Sequence, residues 1–350
     1  MTLQRSQARG LAVVGVVTVA ASVALSLVRV PSAVLFGGLI GGMAQALGSE
    51  TPVAVPAPAF RVSQAMVGVI IGAGISLDAL GAMGRDAPTI LVITIGTVLV
   101  SLVAGRLLAL RRDVSPVTGA FALIAGGASG VVAISRDLGA DDRVVTVVQY
   151  LRVLIVLVTM PLVTAVVFHP ERGQGGLGTT SSRLDESLLY VAITLALGLL
   201  IARLVPVTTA ILLGPILVGT ILVATPWFDA VAVPAVLQWL AYALIGIQVG
   251  LRFTRASLVS IARMLPVVTL IILGMIVATA LMGSLLAVLT PVDGLTAYLA
   301  TTPGGLFAVL ATAADAGSDV TYVMAVQLVR VLVILCFTPL LARLLARRAA

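Results

Sequence analysis

The sequence predicts an all-α polytopic membrane protein made of two tandem homologous repeats, and three observations carry that prediction. Of its 350 residues 60% are hydrophobic and only 10% charged, with a mean hydropathy of +1.20. A soluble domain of this length needs far more polar residue to clothe its surface. Apolar runs of about 18–26 residues, long enough to cross a hydrocarbon core about 30 Å thick, recur from residue 11 almost to the C-terminus. Residues 125–162, laid on 303–340 without a gap, give 16 identities in 38 positions.

Those identities include Gly126/Gly304, Gly127/Gly305, Asp137/Asp315, Gly139/Gly317, Asp141/Asp319, Gln149/Gln327, Arg152/Arg330 and Pro161/Pro339. Weaker echoes lie upstream, VLFGGLIGG (34–42) against ILLGPILVG (211–219) and VIIGAGISL (69–77) against ALIGIQVGL (243–251). The expected organisation is a cytoplasmic tail (1–10), repeat 1 (11–169), a linker containing GQGGLGTTSS (170–187), repeat 2 (188–346) and a C-terminal tail (347–350).

Each repeat holds six apolar elements. The first, 11–28, follows Arg5 and Arg9 and has the outline of a signal peptide. Its counterpart 188–205 opens the second repeat, so both are expected to be retained structural helices. The second and third elements (31–48 and 60–77; 207–225 and 232–251) carry Gly37, Gly38, Gly41 and Gly42, then Gly68/Gly72 and Gly246/Gly250. Small-xxx-small spacing of this kind marks close helix contacts. The fourth elements are 88–110 and 264–289, and the sixth are 144–169 and 320–345.

The fifth elements, 115–135 and 295–313, contain IAGGASG (124–130) and TTPGGLF (301–307). Paired glycines, once with a proline, predict a break whose freed backbone groups need a protein interior or a water-filled cavity. Charge counting bears on its meaning. Setting aside Arg152 and Arg330, six crossings per repeat place 11 of the 19 remaining arginines inside and 8 outside. Five crossings per repeat invert the second repeat and place 15 inside and 4 outside, the better fit to the positive-inside rule. Both termini are then cytoplasmic. The element that fails to span is either a re-entrant Gly-Gly segment or another short helix beside a broken spanning one.

Arg152 and Arg330 stand in the middle of QYLRVLIVLVTMPL (149–162) and QLVRVLVILCFTPL (327–340). An Arg at the centre of a membrane helix costs about 2.5–3.5 kcal/mol on insertion scales, and this chain bears that cost twice. Gln149 and Gln327 precede them by three residues, on the same helix face. Two roles are open to each arginine, a brace for an Asp or for carbonyls freed at a break, and a direct contact with an anion. Asp137 and Asp315 are either ion-coupling groups or brace partners. Gly126, Gly127, Gly304 and Gly305, with Ser129, Thr301 and Thr302 beside them, complete the candidate solute site. Asp141 and Asp319 look like helix N-caps. Broken helices meeting near the midplane of inverted repeats point to a transporter's substrate site.

Several chemistries are excluded. The chain has no lysine, one histidine (His169) and one cysteine (Cys336), so it has no Walker A loop, Schiff base, multi-histidine metal cluster or internal disulfide. No cofactor, metal or catalytic residue is expected. The net charge of +7 is spread among single arginines and short clusters between apolar runs, the pattern of a topology signal rather than a nucleic-acid surface. The partners expected are the lipid bilayer and a small, anionic solute. The composition, free of lysine and asparagine and rich in Ala, Val, Gly and Arg, suggests a bacterial inner membrane.

At ATTPGGLFAVLATAADAGSDVTYVMAVQLVRVLVILCFTPL (300–340) the sequence resembles the AbrB-type duplicated membrane proteins. The resemblance rests on Pro303, Gly304, Gly305, Gly317, Asp319, Gln327 and Arg330 and extends over nearly the whole chain. Phe307 and Ala308 stand where the family pattern is polar or acidic, and the first copy has Ala125 in place of the proline. Members carry labels as regulators of gene expression or as ammonia monooxygenases. The residues here favour a secondary transporter, with a membrane-embedded regulator or scaffold as the alternative and the monooxygenase a weak third.

Overall fold

The computed structural model describes residues 2–28, 30–48, 53–75, 77–111, 114–124, 139–169, 184–205, 210–225, 228, 231–253, 255, 259 and 262–349. Its side chains are described outside 2–9, 77–83, 142 and 335–349. The described residues are helical throughout their regular structure, in two compact units interleaved along the chain. One comprises 1–79, 161–255 and 307–321, the other 80–160, 256–306 and 322–350.

The first unit holds α1 (Thr2–Leu27), α2 (Ala33–Gly48), α3 (Ala57–Ala73), α7 (Leu184–Leu204), α8 (Ala210–Val223), α9 (Ala235–Gly250) and α12 (Leu306–Asp315). α1 takes in most of the expected 1–10 tail. α3 and α9 both start after a proline, Pro56 and Pro234, at φ −55° in each. The ring-fixed φ suits a first turn, and the missing N–H is not needed there. These prolines are 178 residues apart (234 minus 56), the offset of the sequence match.

Packing in this unit is crosswise: α2 lies on α9, and α3 on α8. Glycines make that possible, as their spacing predicts. A Cβ on Gly68 of α3 would come within 2.5 Å of the Leu212 carbonyl oxygen on α8, and one on Gly38 of α2 equally close to that of Ala243 on α9. Gly246 and Gly250 meet the carbonyls of Leu35 and Leu39 in the same way. Backbones at this distance exchange dispersion contacts that no larger residue allows. A core of Met66, Val69, Tyr190, Val191, Phe228, Val231, Val233 and Ala241 fills the unit, with the Tyr190 and Phe228 rings 5.8 Å apart.

The second unit holds most of α4 (Leu77–Leu108), α5 (Pro116–Leu123), most of α6 (Asp142–Val163), α10 (Leu265–Leu289), α11 (Gly294–Thr301) and most of α13 (Val320–Ala349), and the wider π turn that follows α6, Thr164–Phe168, belongs to the first unit. α4 begins eleven residues before the expected 88 (88 minus 77). Pro88 forgoes one backbone bond, but the preceding LDALGAMGRDA is rich enough in Ala and Leu to propagate the helix through it.

Among the described residues five helical stretches are long and apolar enough to cross a membrane, namely Gly10–Leu27, Gly84–Leu108, Arg143–Phe168, Leu184–Leu204 and Leu265–Leu289. With its duplicated apolar pattern this is an all-α polytopic membrane protein. α2, α3, α8 and α9 are shorter, at 14 to 17 residues. At 1.5 Å per residue they reach only about 21–26 Å.

The fifth element breaks in both repeats. α5 and α11 have eight residues each, about 12 Å of helix. Both start on a side-chain cap. Ser115 accepts from the Thr118 N–H, and Asp293 from the N–H groups of Leu295 and Thr296. Both stop on an extended residue, Ile124 at φ −64°, ψ 122° and Thr302 at φ −59°, ψ 129°. In the second repeat residues 302–305 are non-helical and α12 resumes at Leu306, so the helix ends just ahead of Gly304 and Gly305. Gly126, Gly127, Ser129 and Asp137 lie outside the described residues.

Candidate functional site

A helix that stops inside a membrane leaves its last carbonyls without partners and concentrates about half a negative charge there. The glutamine–arginine pair of each repeat answers that need. In the first repeat Gln149 Nε2 donates to the Phe121 carbonyl (2.9 Å) and Arg152 Nη1 to the Leu123 carbonyl (3.2 Å), both in the last turn of α5. In the second, Gln327 Nε2 donates to the carbonyls of Leu299 (3.0 Å), Ala300 (3.1 Å) and Thr302 (3.2 Å). Arg330 Nη1 donates to the Thr302 carbonyl (2.8 Å) and Nη2 to Gln327 Oε1 (2.5 Å). The Gln149–Phe121 and Gln327–Leu299 bonds stand 178 residues apart, so the same contact occurs twice.

The arginines are therefore braces of the breaks, but the bracing does not use them up. Arg152 and Arg330 are 4% and 5% exposed, and in each the Nε–H has no hydrogen-bond partner among the described residues. The charge of Arg152 reaches Arg330, so like faces like. A guanidinium has five N–H donors and no acceptor, and a buried one with donors to spare attracts an anion.

A crevice runs between the two breaks. Ile124 and Pro303 line it, one from each break, with Arg330 and Ile334 of α13 and Thr97, Val98 and Ser101 of α4. It is too tight to admit a water molecule as it stands.

Of the remaining expected residues, Thr301 and Thr302 are buried beside the crevice wall. Their hydroxyls donate back to carbonyls of α11, Thr301 to Ala297 and Tyr298 and Thr302 to Tyr298. Gly304 and Gly305 form the break, and among the described residues a Cβ on Gly305 would have only Val153 within 4 Å. Asp315 belongs to the other compact unit, where its Oδ2 accepts from the backbone N–H of Ser32, a residue at φ 55°. Asp141 caps α6 as its position suggests, accepting from the N–H groups of Arg143 and Val144. Among the described residues no cluster of three His, Cys, Asp or Glu could hold a metal ion.

Thr97 and Ser101 were not among the residues singled out from the sequence. The signal was present: Thr94, Thr97 and Ser101 recur at intervals of three and four in the apolar run ILVITIGTVLVSLV (90–103), one polar stripe on one helix face.

The arrangement has the order of the AbrB-type pattern, a PGG break followed by a Gln/Arg-bearing helix, and comparison with known proteins decides the matter. The family model described as "Transition state regulatory protein AbrB" matches residues 35–346. The chain belongs to the AbrB family. A relative in Escherichia coli (strain K12), named "Putative regulator AbrB", is 32% identical over 338 residues, 94% of each chain. A second in Bacillus subtilis (strain 168), "Uncharacterized protein YhjN", is 24% identical over 299 residues, 81% of this chain and 78% of its own. These AbrB names are those of regulators and not of enzymes.

Proposed function

We propose that this AbrB-family protein is a secondary transporter of a small anionic solute, with Arg152 and Arg330 as the cationic contacts at its centre. One observation carries the reading: two buried guanidiniums, one per repeat, each hold a helix break through Nη1 and keep an Nε–H that no described residue engages. A protein that needed the arginines only as braces gains nothing from placing two like charges within reach of each other. An arriving anion offsets that repulsion and takes the free donors.

In this reading the repeats are inverted, the termini face the cytoplasm and the membrane is the bacterial inner membrane. Fifteen arginines against four favour that orientation. The break at Gly304 and Gly305 presents backbone amides to the solute, and the chain performs no chemistry on it. The regulator's name borne by the Escherichia coli relative supports a second reading, a membrane-embedded regulator without flux. The two meet if regulation follows from moving a metabolite.

The test is thermal unfolding of the purified protein against a panel of small anions, for wild type, Arg152→Gln and Arg330→Gln. A ligand at 100 times its dissociation constant adds about 2.7 kcal/mol of stability, a readily visible shift. An anion that stabilises wild type but not a folded Arg variant supports the reading. No shift with any anion, together with two badly destabilised variants, would leave the arginines as braces and favour the regulator.

A further inference from the structure

We infer that the solute of this site is a short 2-hydroxy monocarboxylate, its carboxylate on Arg330 and its hydroxyl on Thr97 and Ser101. The inference rests on the anion-transport reading above and adds the class of anion.

Charge sets the valence. Arg152 and Arg330 supply two positive charges, and the carbonyl ends of α5 and α11 return about half a negative charge each, leaving about one positive charge to be met. Among the described residues no acidic side chain lines the crevice, and Arg330 is the one cationic side chain there. A monoanion balances that charge. A dianion or phosphate would be buried with charge left over, and uncompensated charge in a dry site is expensive.

The hydroxyls set the rest. The Thr97 Oγ1–H is engaged by the Thr94 carbonyl at 2.8 Å, and the Ser101 Oγ–H by the Thr97 carbonyl at 3.1 Å. Both residues are buried and both line the crevice. With their protons engaged they have only acceptor lone pairs left to offer, and acceptors call for a donor on the ligand. The ligand thus needs an O–H close to its carboxylate, as a 2-hydroxy acid provides. Val98, Ile124, Pro303 and Ile334 form the remaining wall, which suits a short hydrocarbon body.

The experiment measures the dissociation constants of glycolate, 2-hydroxypropanoate, acetate, propanoate, succinate and phosphate from ligand-dependent unfolding of the full chain in detergent. The same series is run on Thr97→Val/Ser101→Ala and on Ser101→Ala alone, in case the double variant fails to fold. The 2-hydroxy acids should bind at least about tenfold more tightly than acetate and propanoate, the worth of one hydrogen bond. The variants should lose that preference, binding 2-hydroxypropanoate no more tightly than propanoate. Equal binding of hydroxy and deoxy acids, or a preference unchanged in the variants, overturns the role of the hydroxyls. Tighter binding of succinate or phosphate overturns the class while the anion reading stands. Failure of all six to bind removes both.

Discussion

Replacing Gln327 with Leu and Gln149 with Leu makes the same chemical change at equivalent places in the two repeats, and the structure predicts very different costs. The two hydrogens of Gln327 Nε2 serve the carbonyls of Leu299, Ala300 and Thr302, and its Oε1 accepts from the Arg330 guanidinium at 2.5 Å. Side-chain hydrogen bonds in membrane helices average about 0.6 kcal/mol and reach about 1.7. A bond to a charged group is worth about 1.5–3 kcal/mol. Two bonds of the first kind and one of the second put Gln327→Leu at about 3–6 kcal/mol. Among the described residues Gln149 donates to the Phe121 carbonyl alone, and its buried Oε1 has no partner there. Removing that oxygen recovers about 1–3 kcal/mol of desolvation, which offsets the lost bond. Gln149→Leu should therefore be nearly neutral. Equilibrium unfolding of both variants in mixed detergent micelles measures the difference. Equal losses, or a greater loss at Gln149, would refute the assignment of Gln327 as the anchor of its break.

The caps of the broken helices should differ in the same direction. Asp293 accepts from Leu295 N–H, Thr296 N–H and Thr296 Oγ1, whereas Ser115 accepts from Thr118 N–H, so Asp293→Ala should cost about 1–2 kcal/mol and Ser115→Ala about 0.5–1 in the same assay. In the crossed helices, Gly68→Leu drives its side chain into the Leu212 carbonyl and the Pro215 ring and should cost more than about 2 kcal/mol. Gly274→Ala, with nothing within 4 Å of the added carbon, should raise stability by about 0.5–1 kcal/mol.

Much of this was legible in the sequence because membranes make sequence and structure speak the same language. Apolar length gave the long helices, and the spacing of Gly68/Gly72 and Gly246/Gly250 gave the close contacts, because only glycine lets backbones approach so far. The glutamine–arginine pairs were visible because a polar residue in a span needs a reason. Which groups they serve was not visible. A hydrogen bond from Gln327 to Leu299 spans 28 residues, and nothing local in either segment announces it. Thr97 and Ser101 were passed over because hydroxyls satisfied by their own helix are common in apolar spans, and their stripe gains meaning only beside Arg330. The early start of α4 was hidden by Pro88, which reads as a helix start and stands here in an interior.

The two breaks also separate cause from consequence. Pro303 invites the explanation that it ends α11, since a proline disfavours helical geometry in the residue before it. Yet Ile124, followed by Ala125, takes the same extended conformation as Thr302, with ψ of 122° against 129°. Proline is thus not required. What the two breaks share is a glutamine and an arginine, three residues apart, drawing the final carbonyls out of line. Pro303→Ala should accordingly leave the break in place and change stability by less than about 1 kcal/mol, because the donors that hold the carbonyls are untouched. Arg330→Met, which keeps the length of the side chain and removes the donors, should cost several times more. Hydrogen exchange at the amides of residues 304–306 distinguishes the outcomes: they remain as exchangeable in Pro303→Ala as in wild type if the arginine and glutamine set the break. Strong new protection there, as α11 and α12 fuse into one helix, would show that the proline had been holding them apart.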